Sequence, residues 1–188
     1  MVAAHATAFS TYTRAVRNVE FKAELRDPGL ARSIAAGVGA SLAVTLDQRD
    51  TYFRVLTGRL KRREATVEGM EEPIEFIRYD RDNRPKPRMS TFEILSEEEF
   101  FERFGELELP EWLVVEKTRA IYMRDNARIH LDKVANLGSF IEFEALITPQ
   151  HNLARAHETI DELRRAFGPA LGEPIGVGYA DLLALENA

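Results

Sequence analysis

Residues 128–146 constrain the fold of this chain most, because they read as a β-hairpin whose two faces differ in chemistry. Side chains of a strand alternate between its faces, and apolar and polar residues alternate along the segment from Arg128 onwards. A turn follows at 136–138 (NLG), where Gly138 can take the positive φ that a tight connection needs. The second strand then alternates in the same way to Leu146. One face of the hairpin can therefore pack on a core, while the other presents charge.

The charged face of this hairpin brings carboxylates together. It carries one set of side chains from the first strand and another from the second: Arg128, His130, Asp132, Phe140, Glu142 and Glu144. Carboxylates held close together repel one another unless a cation lies between them, and oxygen ligands suit Mg²⁺ or Mn²⁺. We therefore expect a divalent-metal site on this face of the sheet.

The composition is that of an ordinary globular protein. A chain of 188 residues with 45% hydrophobic and 30% charged residues can bury one core, so we expect a single domain over 1–188 with a flexible tail at 1–14. The lack of cysteine excludes disulfides and thiolate chemistry and fits a reducing, cytoplasmic location. Nothing in the sequence suggests a membrane span or a signal peptide. The net charge of −6 argues against nucleic acid as a partner.

Other segments predict a sheet of many strands with a few helices. Alternation and turn residues indicate further strands at about 18–26, 46–56, 59–65, 74–81, 89–95 and 112–123. Helix-start signals predict helices at about 29–43, 97–104, 148–167 and from 179 onwards. Seven or eight strands with few helices favour an α+β protein built on a closed or strongly curved antiparallel sheet.

Periodicity alone leaves two explanations for the charged faces of these strands. In the first, the sheet is open, and its charged face is solvated and paired across strands for about 0.2–1 kcal/mol per pair. In the second, the sheet closes around that face, so that basic residues bind a polyanion and carboxylates hold metal ions that bridge to it. Like charges inside a barrel would need such a ligand, since burying an unpaired ion costs several kcal/mol.

The motifs favour the closed arrangement. Residues 18–22 (NVEFK) resemble the Glu-x-Glu-x-Lys signature of CYTH domains, the triphosphate tunnel metalloenzymes that include class IV adenylyl cyclases and thiamine triphosphatases. The resemblance continues in order through 50–53 (DTYF), 58–64 (GRLKRRE), 77–81 (IRYDR), 115–119 (VEKTR), 128–132 (RIHLD), 138–142 (GSFIE) and 179–183 (YADLL). Each motif is weak alone, but together they cover nearly the whole chain after residue 18.

The resemblance implies a closed eight-stranded antiparallel β-barrel, a triphosphate tunnel, with flanking helices. Carried over position by position, the phosphate ligands are Lys22, Lys61, Arg63, Arg81, Lys117, Arg119 and Arg128, and the metal ligands for Mg²⁺ or Mn²⁺ are Glu20, Asp132, Glu142 and Glu144. Among the phosphate ligands, Lys22, Lys61, Arg63 and Arg119 are the expected catalytic groups. The resemblance also allows a homodimer.

One position departs from the signature. Asn18 stands where the first Glu is expected, and its amide carbonyl can coordinate a metal but adds no charge. Glu144 is expected to compensate. His130, on the same charged face, either contacts the phosphate or one of the metal ligands, or is an ordinary structural histidine.

Three functions fit these residues. The first is metal-dependent hydrolysis of the terminal phosphoanhydride of a small triphosphate (tripolyphosphate, a nucleoside triphosphate or thiamine triphosphate). The second is cyclisation of ATP to cyclic AMP, which needs nearly the same ligands together with an adenine pocket that the sequence does not identify. The third is binding of a polyphosphate or nucleotide without turnover, although retention of an anion alone would not need the carboxylates. We expect the first.

Overall fold

The computed structural model describes residues 15–105 and 109–186, and the tail expected at 1–14 lies outside them. The strands are β1 (Val16–Leu25), β2 (Ser41–Phe53), β3 (Arg59–Val67), β4 (Met70–Glu71), β5 (Glu75–Arg81), β6 (Arg88–Ser96), β7 (Glu111–Arg124), β8 (Ala127–Val134), β9 (Gly138–Leu146) and β10 (Leu171–Pro174). The α-helices are α1 (Pro28–Gly37), α2 (Glu97–Phe104), α3 (Leu153–Phe167) and α4 (Tyr179–Glu186).

The sheet closes on itself through β1, which pairs with β6 on one side and β9 on the other. Between them the antiparallel order runs β6-β5-β3-β2-β7-β8-β9, so that eight strands form a ring. The short strands β4 and β10 add to β3 and β1 outside this ring. The predicted closed eight-stranded barrel with flanking helices is therefore confirmed, and the alternative of an open sheet is wrong.

The barrel packs its apolar core on the outside, because its charged faces point inward. Val19, Phe21, Ile129 and Phe143 are buried between the sheet and the helices α1 and α3. A second outer cluster lies where Phe100 of α2 stacks on the sheet. Burial of apolar side chains, worth about 25 cal/mol per Å², thus stabilises the outer wall and leaves the interior to polar residues.

The hairpin predicted at residues 128–146 forms as expected. β8 and β9 pair in register from Ala127 opposite Ala145 to Val134 opposite Gly138. Asn136 and Gly138 both have positive φ (64° and 104°), which allows the short turn between β8 and β9 to close. The hairpin therefore holds its charged face in one register, directed into the barrel.

Two helix boundaries differ from the prediction. α3 begins at Leu153 rather than near Thr148, because residues 148–151 close a turn in which the His151 amide donates to Thr148 Oγ1 at 3.1 Å. Asn152 then caps the helix by accepting from the Arg155 amide. α1 ends at Gly37, six residues before the predicted end, and β2 begins at Ser41. Within the described residues, no helix has the length and apolar character to cross a membrane.

Candidate active site

The interior of the barrel holds a cavity of about 170 Å³ lined mainly by charged and polar side chains. The predicted site residues that line it are Glu20, Lys22, Lys61, Arg63, Arg81, Lys117, Arg119, Arg128, Glu142 and Glu144. Asp132 is buried beside the cavity, where it binds Arg119. The fold thus brings residues from β1, β3, β5, β7, β8 and β9 together, and their roles as ligands remain proposals.

Asp50 organises one group of these cations, and sequence reasoning missed it. Its fully buried carboxylate accepts from Lys61 Nζ at 2.8 Å, from Lys117 Nζ at 2.6 Å, and from both Nε and Nη2 of Arg63 at 2.8 and 3.0 Å. Burial alone would raise the pKa of Asp50, but the three cations hold that pKa well below its usual range. Asp50 is therefore an anion surrounded by an excess of positive charge.

Burial and the neighbouring positive charge lower the pKa values of the two lysines in this Asp50 group. Burial lowers the pKa of Lys61 well below the ordinary lysine value, and the charge of Arg63 lowers it further. Burial likewise lowers the pKa of Lys117 to about 8, although Asp50 opposes the shift. A ligand that brought more negative charge into the tunnel would favour the protonated form of both lysines.

A second group of charges surrounds Glu142 on β9. Lys22 Nζ lies 3.4 Å from Glu142 Oε1, and Arg119 Nη2 donates to Glu142 Oε2 at 3.0 Å. Arg119 also donates to both oxygens of Asp132, at 2.7 and 2.6 Å, and the Tyr179 hydroxyl donates to Asp132 Oδ2 at 2.6 Å. The Asp132 carboxylate, a predicted metal ligand, thus holds Arg119 in position.

Glu20 lies in a third group, with two arginines. It pairs with Arg81 and with Arg88, whose Nη2 is 2.8 Å from Glu20 Oε1. Arg88 is fully buried and was not predicted as a site residue, because it follows a loop rich in Pro and Arg. Glu20 lies directly opposite Glu144 in the β1–β9 ladder, and Glu144 has its own arginine, with Arg128 Nη2 at 2.7 Å from Glu144 Oε2. These arginines offset the repulsion between the two carboxylates.

The clearest metal-binding geometry joins Glu142 and Glu144 with His130. Ligand atoms of these three side chains lie within 4.8 Å of one another. Burial lowers the pKa of His130, and so does the charge of Arg119, which leaves a neutral imidazole near neutral pH. The donor set of two carboxylates and an imidazole fits a divalent cation. Of the predicted metal ligands, the structure brings Glu142 and Glu144 together. All four, Glu20 and Asp132 included, also form ion pairs with arginines.

The variant Tyr179→Phe tests how much the hydrogen bond from α4 to Asp132 stabilises the fold. In Tyr179→Phe we expect the free energy of unfolding to fall by about 1.5–3 kcal/mol, because the charged Asp132 loses a buried donor. Urea denaturation checks this, with Tyr122→Phe in the outer wall as the matched control. Equal stability of the Tyr179 variant and the wild type would show that the hydroxyl holds nothing in place.

Comparison with known proteins agrees with this geometry. The sequence profile of the CYTH domain matches residues 17–171. The chain belongs to the CYTH family. The predicted family resemblance is therefore confirmed. CYTH domains are metal-dependent triphosphatases or adenylate cyclases. None of the curated proteins matches this CYTH chain.

Solved structures share the fold of this CYTH domain at low sequence identity. PH1819 from Pyrococcus horikoshii OT3 is 21% identical with a TM-score of 0.65, over 91% of this chain and 99% of that one. PH1012 from the same organism is 20% identical with a TM-score of 0.66, over 88% and 98%. A candidate adenylate cyclase from Vibrio parahaemolyticus is 18% identical with a TM-score of 0.65, over 89% and 97%. At such identities these similarities establish the fold alone.

Proposed function

We propose that this CYTH domain hydrolyses the terminal phosphoanhydride of a small triphosphate in a reaction that depends on a divalent metal ion. The observation that carries the proposal is the convergence of basic side chains from five strands on one cavity inside the closed barrel. They are Lys22, Lys61, Arg63, Arg81, Lys117, Arg119 and Arg128. Cations collected in a buried place are best neutralised by a ligand of high negative charge density.

The pattern of ion pairs supports a polyanion as that ligand. Asp50 alone faces three cations, and Glu20 alone faces two. A triphosphate extending from the Asp50 group to the Lys22 and Arg119 side of the tunnel would supply the missing negative charge. Its oxygens would also accept hydrogen bonds from Lys and Arg N–H groups that do not bind a carboxylate. A guanidinium group can donate two parallel hydrogen bonds to one phosphate.

The residues have distinct roles in such a reaction. Lys61, Arg63 and Lys117 would bind phosphates and neutralise the charge that develops on the leaving group, while Lys22 and Arg119 would orient the phosphoryl group opposite them. Glu142 and Glu144 would hold the metal ion. When bound, that ion supplies Lewis-acid polarisation of phosphate oxygens and helps to activate water.

The size of the cavity favours a compact substrate. At about 170 Å³ it is smaller than the roughly 300–1,000 Å³ of sites that take drug-sized ligands whole. A bare phosphate chain suits this volume better than a nucleotide, so inorganic tripolyphosphate is the first substrate to test. Any organic substituent would extend beyond the charged section of the tunnel.

A second cavity supports cyclisation of ATP as the alternative function. It has a volume of about 920 Å³, and it shares Gln48 and Lys117 with the smaller cavity. Its other walls come from β2, β3, β7 and the turn between β8 and β9. A nucleoside in this space would leave its phosphates near Lys117 and therefore near the Asp50 group, so the two cavities together would hold ATP.

Product analysis separates these functions. The protein is incubated with tripolyphosphate, ATP or thiamine triphosphate in Mg²⁺ or Mn²⁺, and orthophosphate, pyrophosphate and cyclic AMP are resolved by chromatography. We expect orthophosphate released with a diphosphate product, and no release when EDTA removes the metal. Cyclic AMP with pyrophosphate would replace hydrolysis by cyclisation, and an unchanged substrate in every mixture would favour a binding protein.

The depressed lysine pKa values predict how this activity depends on pH. Lys117, whose pKa is about 8, is cationic below that pH and neutral above it, so kcat/KM should fall as the pH rises through about 8. The initial rate at low substrate concentration, measured from pH 6.5 to 10, checks this. In Lys117→Arg the guanidinium stays charged and the descending limb should move, whereas an unmoved limb would belong to another group, Lys61 or the substrate, and would contradict the assignment to Lys117. A flat wild-type profile would contradict the prediction.

A further inference from the structure

His130 is buried at the centre of the acidic group without a hydrogen bond from either ring nitrogen to the described residues. It is 3% exposed and lies directly opposite Glu142 in the β8–β9 ladder and opposite Ile121 in the β7–β8 ladder. Neither ring nitrogen has a hydrogen-bond partner among residues 15–105 and 109–186. The nearest carboxylate oxygen, Glu142 Oε2, is 3.7 Å from Nδ1, which is too long for a hydrogen bond.

A buried histidine with only a structural role normally has a hydrogen-bond partner. A buried polar group without a partner destabilises a fold, and most buried imidazoles donate one N–H to a carbonyl or a carboxylate. His130 lines the polar cavity, and one of its ring nitrogens lies within reach of a cation held by Glu142 and Glu144. A metal ion at this point would use one ring nitrogen as a ligand.

Asn18 changes the charge of the same region. It is 1% exposed and lines the cavity, and its side-chain carbonyl oxygen also has no hydrogen-bond partner within the described part of the chain. A neutral amide at this position removes a carboxylate from the surroundings of the ion, while His130 adds a nitrogen ligand. Mg²⁺ depends on hard oxygen ligands, whereas imidazole favours first-row transition ions.

We propose that His130 coordinates the metal ion directly, together with Glu142 and Glu144, and that this mixed nitrogen and oxygen site selects a first-row transition cation over Mg²⁺. The inference rests on the proposed function only in placing a cation in the tunnel, and it names a ligand and a preference that the family resemblance does not supply. It makes Mn²⁺, rather than Mg²⁺, the expected activator in the product analysis.

Pulsed electron paramagnetic resonance tests the nitrogen ligand without any turnover. The full chain is mixed with less than one equivalent of Mn²⁺, in the absence of a triphosphate, and the electron spin echo modulation is recorded. We expect a ¹⁴N coupling of the strength given by a directly bound imidazole, and we expect His130→Gln to lose it. His157→Gln, on α3 outside the barrel, should retain the coupling.

Competition between ions tests the preference. In titrations of Mn²⁺ with Mg²⁺ as competitor, His130→Gln should bind Mn²⁺ about tenfold more weakly or worse, with a smaller change for Mg²⁺. Circular dichroism and metal-free thermal unfolding show whether the variant is folded. If His130→Gln does not fold, the wild-type spectrum alone tests the proposal. Bound Mn²⁺ without a ¹⁴N coupling, or no Mn²⁺ binding, would overturn it.

These results are independent of the result for the proposed function. A ¹⁴N coupling in a protein that turns over no triphosphate would support the metal site and remove the hydrolase. Turnover in a protein whose bound Mn²⁺ shows no nitrogen coupling would support the hydrolase and remove the role of His130.

Discussion

Asp50→Asn is expected to lower the free energy of unfolding by about 3–5 kcal/mol, because it leaves buried cations without their counter-ion. Lys61, Arg63 and Lys117 all bind the Asp50 carboxylate, and the side chain is fully buried. The neutral amide keeps the shape of the carboxylate and removes its charge. Thermal and urea denaturation in the absence of any phosphate measure the loss.

Tripolyphosphate should restore much of that stability. If the tunnel binds a polyanion, the substrate replaces the charge of Asp50, and the thermal shift on adding tripolyphosphate should be larger for Asp50→Asn than for the wild type. Asp47→Asn is the matched control, because Asp47 lies on the same strand but is exposed. A destabilised Asp50 variant with no added response to tripolyphosphate would mean that the three cations serve the fold and not a ligand.

Glu142→Gln is expected to reduce turnover by at least about 10²-fold, which is the usual effect of removing one group that acts on transition-state charge. Glu142 contacts Lys22 and Arg119 and lies in the acidic group with His130. The substitution therefore weakens metal binding and also removes a counter-ion from Lys22 and Arg119. Steady-state kinetics over a range of Mn²⁺ and Mg²⁺ concentrations measure both effects.

The variant should still fold, although it loses stability because Lys22 and Arg119 lose a buried counter-ion. Arg119 keeps its two hydrogen bonds to Asp132, so the Glu142 variant should show the circular dichroism spectrum of the wild type. Glu116→Gln, which changes an exposed carboxylate on β7, should leave turnover unchanged. Wild-type turnover in Glu142→Gln would remove the acidic group from the reaction.

The architecture of the barrel could be predicted from the sequence because two signals agreed. Alternation gave the strands and their charged faces, and the ordered motifs from 18–22 to 179–183 indicated closure. Alternation alone could not decide closure, since a strand with one polar face looks the same in an open sheet and in a barrel. Closure depends on β1 pairing with both β6 and β9, and no local pattern records such a pairing.

Two important site residues escaped prediction for physical reasons. Asp50 lies between Gln48 and Tyr52 on the inward face of β2, so alternation could have pointed to it, but one carboxylate on a strand is usually a surface residue. Arg88 follows a loop rich in Pro and Arg and begins β6, where burial of an arginine is unexpected. Each residue is buried because of a charge brought by another strand, which only the assembled barrel reveals.

The helix termini show a similar limit. Thr148-Pro149 has the composition of a helix start, but the turn between Thr148 and His151 uses those donors first, and Asn152 becomes the cap. The capping box at Ser96 was predicted correctly because both of its hydrogen bonds, with Glu99, are local. Local signals thus located α2 well, while competition between two adjacent caps displaced α3.

A crystal structure of the protein grown with tripolyphosphate and Mn²⁺, using Glu142→Gln if the wild type consumes the substrate, tests the central claim most directly. We predict density for three linked phosphates inside the barrel, with one end at Lys61, Arg63 and Lys117 and the other near Lys22 and Arg119. An anion bound only at the outer surface, with the inward ion pairs around Asp50 and Glu142 intact, would contradict the account.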